Sequence, residues 1–163
     1  MNYAVTRMLA PVRLPFVVTP GEALSRFLSA LVEGRLIGER CSECSKVVLP
    51  PRGACPTCGI ATNPRDNVTV SDGGTVVMFC IVNIPFEGQT IKPPYVYASI
   101  LLDGADVPLL HLVEVPVDKA RMGMRVRAEW APPTERKPSL EAIRWFVPTG
   151  EPDASYEAYK EYA

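Results

Sequence analysis

Apolar residues recur at Leu24, Phe27, Leu28 and Leu31, an i, i+3, i+4, i+7 stripe that reads as one face of a helix. Thr19-Pro20-Gly21-Glu22 precedes the stripe in a start-signal order, with Thr19 as cap and Pro20 in the first helical position. Gly34 stands where a helix ends in the left-handed conformation. The pattern predicts a helix over 20–33. Residues 1–18 carry no period and predict an irregular arm laid over some other surface. Beyond residue 74 the pattern changes to β-type runs, at 75–84, 95–102, 107–115, 124–131 and 140–147, broken by Pro, Gly and Asp. Five strands with little helical pattern between them predict a small Greek-key barrel of the OB type. Residues 63–74 read as a connector, and the tail after 151 as one last short helix capped by Asp153 or Ser155. The expected organisation is therefore mainly β. It runs as arm and helix over 1–34, a four-cysteine ribbon over 35–62, a five-stranded OB-fold-like barrel over 63–150 and a tail over 151–163.

Composition supports strands and loops over a helical bundle. Seventeen of the 163 residues are proline, which removes a backbone donor and clashes with a preceding helical turn. The net charge is -1, which argues against a polybasic nucleic-acid or membrane binder. No apolar run approaches the roughly 18 residues of a membrane helix. Pro11 and Pro15 interrupt the first residues, so no signal peptide is expected and a cytoplasmic, reducing setting is.

The chemistry-bearing pattern is Cys41-Ser-Glu-Cys44 and Cys55-Pro-Thr-Cys58. Each C-x2-C turn brings two sulfurs to one side, and two such knuckles supply the four thiolates of a closed tetrahedral zinc site. Ser45-Lys46 and Gly59 ease the turns, and 47–49 form a strand of the ribbon. A segment this short buries little, so one zinc ion per chain would supply much of its folding free energy. The rivals are rubredoxin-type iron, which wants an aromatic cage absent from 39–62, and two disulfides, which a reducing setting disfavours.

The other candidates are less specific. Cys80 lies within an apolar run and reads as a buried thiol. His111, the one histidine, reads as a packed strand residue, with a Cys80–His111 nucleophile–base pair as the alternative. No catalytic site is assigned. The run 75–84 is apolar on both faces, with Val76, Met78, Cys80, Val82 and Ile84 on one and Val77, Phe79 and Ile81 on the other. The helix or a partner protein must cover the second face. Arg121, Arg125 and Arg127 form a basic patch, and Lys92 sits in the proline-rich loop 85–94. These four are candidates for contact with coenzyme A phosphates or with acidic groups of a partner. Tyr156, Tyr159 and Tyr162 recur every three residues in the tail, a pattern suited to docking on a surface.

The order of helix, ribbon with PPRGACPTCG, then GGTVVMFCIVN, PPYVYASILLDG and a closing MGMRVRAEW strand resembles the zinc-ribbon/OB-fold acyl-CoA-associated family. The resemblance spans about residues 20–147 and includes all four ribbon cysteines. It implies a non-catalytic subunit that binds a thiolase-fold enzyme, as a zinc-finger subunit does in benzoylsuccinyl-CoA thiolase. It further implies a heterotetramer around the enzyme's dimer, with acyl-CoA at the shared interface. Steroid side-chain cleavage, isoprenoid synthesis and anaerobic toluene breakdown are all contexts of that family. The rival function is a single-stranded nucleic-acid module. Against it, residues 68–163 carry 9 basic and 13 acidic groups, and aromatics are only 8% of the chain.

Overall fold

The computed structural model describes residues 6–8, 10, 14, 15 and 17–163. Most of the expected arm lies outside these, and its described residues are exposed. Helix α1 spans Glu22–Val32 and not 20–33. Gly21 is the N-cap with its carbonyl accepting from Ser25 N–H, and no side chain caps the turn. A cap at Thr19 would draw Gly21 into the first turn, whereas Gly is tolerated at the cap itself. The other end behaves as the sequence suggests. Gly34 takes φ +75°, its N–H donates to Leu31 O and Arg35 N–H to Ala30 O, which together close a Schellman motif. The buried stripe is Ala23, Phe27, Ala30 and Leu31, flanked by half-buried Leu24 and Leu28.

Three strands build the ribbon sheet: β1 (Leu36–Arg40), β2 (Val47–Val48) and β3 (Asn67–Val70), in the order β2-β1-β3. The expected connector thus contains a strand. Val70 is buried, and β3 pairs antiparallel with β1 from Leu36↔Val70 to Glu39↔Asn67 before the chain turns directly into the barrel.

The barrel strands are β4 (Gly73–Val82), β5 (Tyr95–Leu102), β6 (Leu109–Val113), β7 (Arg125–Trp130) and β8 (Ile143–Pro148). They close in the order β4-β5-β6-β8-β7, with β6 and β8 parallel, which is the OB topology. Gly74 is where β4 crosses closest to β5: a Cβ there would lie 2.5 Å from Leu101 O. Helix, ribbon and barrel share one core, with Phe27, Leu31, Leu36 and Leu49 continuous with Ile100, Val126, Ile143 and Phe146.

A register shift between Val76 and Met78 puts a bulge in β4 and breaks the expected two-face alternation. Val76 and Val77 are both buried, whereas Met78, Cys80 and Ile81 are exposed. The helix does not cover the second face, because α1 packs on β1 and on the turn Leu140–Ala142. The tail forms two 3-10 turns, Tyr156–Ala158 and Lys160–Tyr162, and docks on its own barrel. Ala154 N–H donates to Gly123 O, Tyr159 is buried, and Tyr162 Oη donates to Asp106.

Candidate metal centre

The two knuckles are built alike. Cys41 N–H donates to Lys46 O and Cys55 N–H to Ile60 O, while Ser45 and Gly59, each just after the second cysteine, take φ +61° and +71°. That left-handed residue turns the chain back so that both sulfurs of a knuckle face one point. The Sγ atoms of Cys41, Cys44, Cys55 and Cys58 all lie within 4.8 Å of one another, and Cys44 and Cys55 sulfurs are 3.6 Å apart. A tetrahedral thiolate site with Zn–S bonds of ~2.3 Å has sulfurs about 3.8 Å apart. The cluster therefore fits a metal, and the separations are far too long for the ~2.05 Å of a disulfide. The thiols are already polarised. Backbone N–H groups of Cys58 and then Thr57 aimed at its sulfur bring Cys55 down to about 6. Cys58, chiefly through its hydrogen bond with Cys44, is pushed up to about 12, as a second thiolate beside the first requires a cation.

Glu39, which the sequence reading did not single out, holds the ribbon in place. It is 1% exposed and accepts from Arg26 Nη2 (2.8 Å), Arg52 N (3.2 Å), Gly53 N (3.0 Å) and Thr62 Oγ1 (2.5 Å). One carboxylate thus joins α1, β1 and both flanks of the second knuckle. The only signal in the sequence was a glutamate within the apolar strand Leu36-Ile37-Gly38-Glu39.

The basic candidates do not form one open patch. Arg121 grips Asp153 through Nε (2.5 Å) and Nη2 (2.8 Å), and holds that carboxyl below its usual range. Arg125 makes a paired contact with Asp103 (2.8 and 2.6 Å) and a further bond to Thr75. Arg127 lies 3.8 Å from Asp72. Lys92 is exposed and has no ion-pair partner among the described residues.

Cys80 is exposed, contrary to the buried thiol expected: the bulge at Val77 turns it outward. His111 points to the opposite face, sharing its side with buried Ala98, so the two form no nucleophile–base pair. The His111 ring stands edge-on to Phe146 at 5.6 Å, and its Nε2–H donates to Leu140 O at 3.3 Å. Burial lowers its pKa from 6.5. Below pH 6.5 the unfolded chain takes up a proton that the folded imidazole resists, so stability is full above that pH and falls as the solution is acidified. Urea midpoints at pH 7.5 and pH 5.5 should separate more for the wild type than for His111→Leu. Equal separations would remove His111 as a cause of acid sensitivity.

Comparison with known proteins joins these features. The model of the "ChsH2, rubredoxin-like zinc ribbon domain" matches residues 28–63, and that of the "ChsH2, C-terminal OB-fold domain" matches residues 67–131. A relative from Thermomonospora curvata, described as "Probable enoyl-CoA hydratase alpha subunit", is 28% identical over 120 residues. The match takes in 71% of this chain but only 37% of that relative's length. A solved structure described as "Ltp2-ChsH2(DUF35) aldolase" shares the fold at a TM-score of 0.61 and 23% identity, covering 81% of this chain and 98% of that one. A DUF35-family protein of unknown function from Sulfolobus solfataricus aligns at a TM-score of 0.55 and 23% identity, over 66% of this chain and 78% of its own. With two consecutive domain models matched in order and four cysteines set to bind a metal, the chain belongs to the ChsH2 family of rubredoxin-like zinc ribbons joined to an OB-fold.

Proposed function

We propose that this chain is a non-catalytic subunit of a thiolase-type or thiolase-like aldolase complex that acts on acyl-CoA carbon–carbon bonds, and that it carries one structural zinc ion. The observation that carries the reading is the outer face of the bulged half of β4 together with the start of the loop that follows it. Met78 (52% exposed), Ile84 (80%) and Phe86 (65%) leave large apolar groups in water on the bulged half of β4 and the loop that follows it. Large apolar side chains left this open on one strand and on the loop after it favour a partner subunit as their cover. The acyl-CoA context comes from the relative described as an enoyl-CoA hydratase subunit, and the carbon–carbon bond chemistry from the fold neighbour described as an aldolase. The zinc would have four protein ligands and no open position, so its role is to hold the ribbon and not to activate a substrate. In this reading the complex is a heterotetramer around the enzyme's dimer and works in the cytoplasm. Lys92 is the cation best placed to meet a coenzyme A phosphate or a partner carboxylate, since Arg121, Arg125 and Arg127 already face acids. No helix among the described residues is long and apolar enough to cross a membrane.

The test is co-expression with a thiolase-type protein encoded beside it. The pair should co-purify, and acyl-CoA turnover should need the partner's active site. Turnover by this chain alone would refute the accessory role, and a fully active partner that never co-purifies would refute the complex. The same preparation should fail to bind single-stranded DNA or RNA at low salt, because the arginines that would track a phosphate backbone are ion-paired. Tight binding with a steep salt slope would reverse that expectation.

A further inference from the structure

One concavity in the barrel has the make-up of a small-molecule site. Strands β6 and β8 pair at a single position, Val113↔Phe146, so the wall is split between them toward Leu110 and Ile143. The resulting groove has a volume of about 530 Å³, within the ~300–1,000 Å³ of pockets that hold drug-sized ligands. Ile91, from the loop between the first two barrel strands, forms one wall. Leu140, from the segment between the last two, forms another, and Tyr97, Leu110 and Trp145 complete the apolar surface. OB-folds bind ligands on this strand face and between these two loops, usually oligonucleotides or oligosaccharides. Here the lining is of another kind. Leu110 is 53% exposed, and Ile91, Tyr97 and Leu140 are also open to water around the same hollow.

The charges at the rim decide what can enter. They are Glu114, Glu141 and Arg144, and Arg144 is already 3.4 Å from Glu135. The uncompensated charge is negative, so a phosphate or carboxylate is repelled while an uncharged group is not.

We propose that this groove binds the uncharged apolar portion of a small molecule, an aliphatic or ring-bearing group of acyl size, with any anionic portion held outside the rim. Its assignment to the acyl group of a thioester rests on the accessory-subunit reading; the binding itself does not.

The experiment titrates the zinc-loaded full chain with the neutral fluorophore N-phenyl-1-naphthylamine. Saturable binding is expected, one probe per chain, with a Kd on the order of micromolar. Decanol should displace the probe roughly tenfold more effectively than decanoate, and Glu114→Gln with Glu141→Gln should narrow that gap. Leu110→Glu places a carboxylate in the floor at a half-exposed position, and should weaken probe binding by roughly tenfold or more. Leu140→Glu, on the opposite wall, is the check against a variant that fails to fold. Absence of saturable binding overturns the proposal, as does decanoate competing equally with decanol. It is also overturned if Leu110→Glu breaks the complex with the partner enzyme while probe binding to the free chain is unchanged, for the groove is then a protein-docking surface. If no probe binds yet the chain still co-purifies with its partner, the groove inference fails alone. If the probe binds and no partner is found, the accessory reading fails alone.

Discussion

Cys55→Ser is expected to strip the metal from the purified protein and to unfold the ribbon. Cys55 is buried, its backbone is locked to Ile60 O, and its sulfur lies 3.6 Å from that of Cys44 within the four-thiol cluster. A serine there offers a hard, protonated oxygen in place of a thiolate, and a structural site closed by four sulfurs has no spare ligand. Apparent binding free energies of structural zinc at neutral pH are about 10–16 kcal/mol. The whole stability of a domain is about 5–15 kcal/mol. Losing a large fraction of the first therefore exceeds what the ribbon can supply from β2, two residues long, and the short turns around it. The damage should spread, because Leu36, Val47 and Leu49 share a core with the barrel. Elemental analysis of the wild type should give one zinc per chain, and the variant close to none, with a lower and broader thermal transition. Iron in the wild type, or a folded wild type without metal, would defeat the zinc assignment.

The metal site was legible in the sequence because a C-x2-C knuckle is a local object: its geometry is set by four or five neighbouring residues. The five barrel strands were legible for the same reason, each bounded by its own Pro, Gly or Asp signal. What escaped was everything decided by pairing across distance. Strand β3 was hidden within a polar stretch, since its only apolar residues, Val68 and Val70, lie on the one face that packs on the shared core. The bulge at Val77 reverses the facing of every later residue in β4, and so Cys80 was assigned inward when it points out. The basic residues of 121–127 looked like an open patch because their acids come from elsewhere, Asp103 from the β5–β6 turn and Asp153 from the tail. The tyrosine tail looked like a docking segment and is one, but its target is the barrel of the same chain. The groove is assembled from two loops and three strands, so no single stretch announces it.

The second large effect is expected at Glu39, where chemistry invisible to a local reading holds the ribbon to the helix. Glu39→Ala removes the one acceptor shared by Arg26, Thr62 and the backbone N–H groups of Arg52 and Gly53. Breaking a buried ion pair by deleting one partner costs about 3–5 kcal/mol, because the remaining charge is left without compensation. Arg26 keeps partial access to water, which moderates that term, while the part-buried N–H groups of Arg52 and Gly53 lose their acceptor and add to it. A net loss of about 3–5 kcal/mol is expected, seen as a lower urea midpoint in the zinc-loaded protein. The second knuckle should loosen as well, since Gly53 stands two residues before Cys55, so a chelator should remove zinc faster from the variant. Glu39→Gln separates charge from shape. Its amide oxygen can serve one side of the cluster, but its NH2 group meets another donor wherever it replaces an accepting oxygen, so it should recover only part of the loss. In a double-mutant cycle with Arg26→Ala, the pair should show coupling of more than about 1 kcal/mol. An unchanged midpoint and chelation rate in Glu39→Ala would show that the four contacts are incidental, and that the ribbon is fixed to the helix by apolar packing alone.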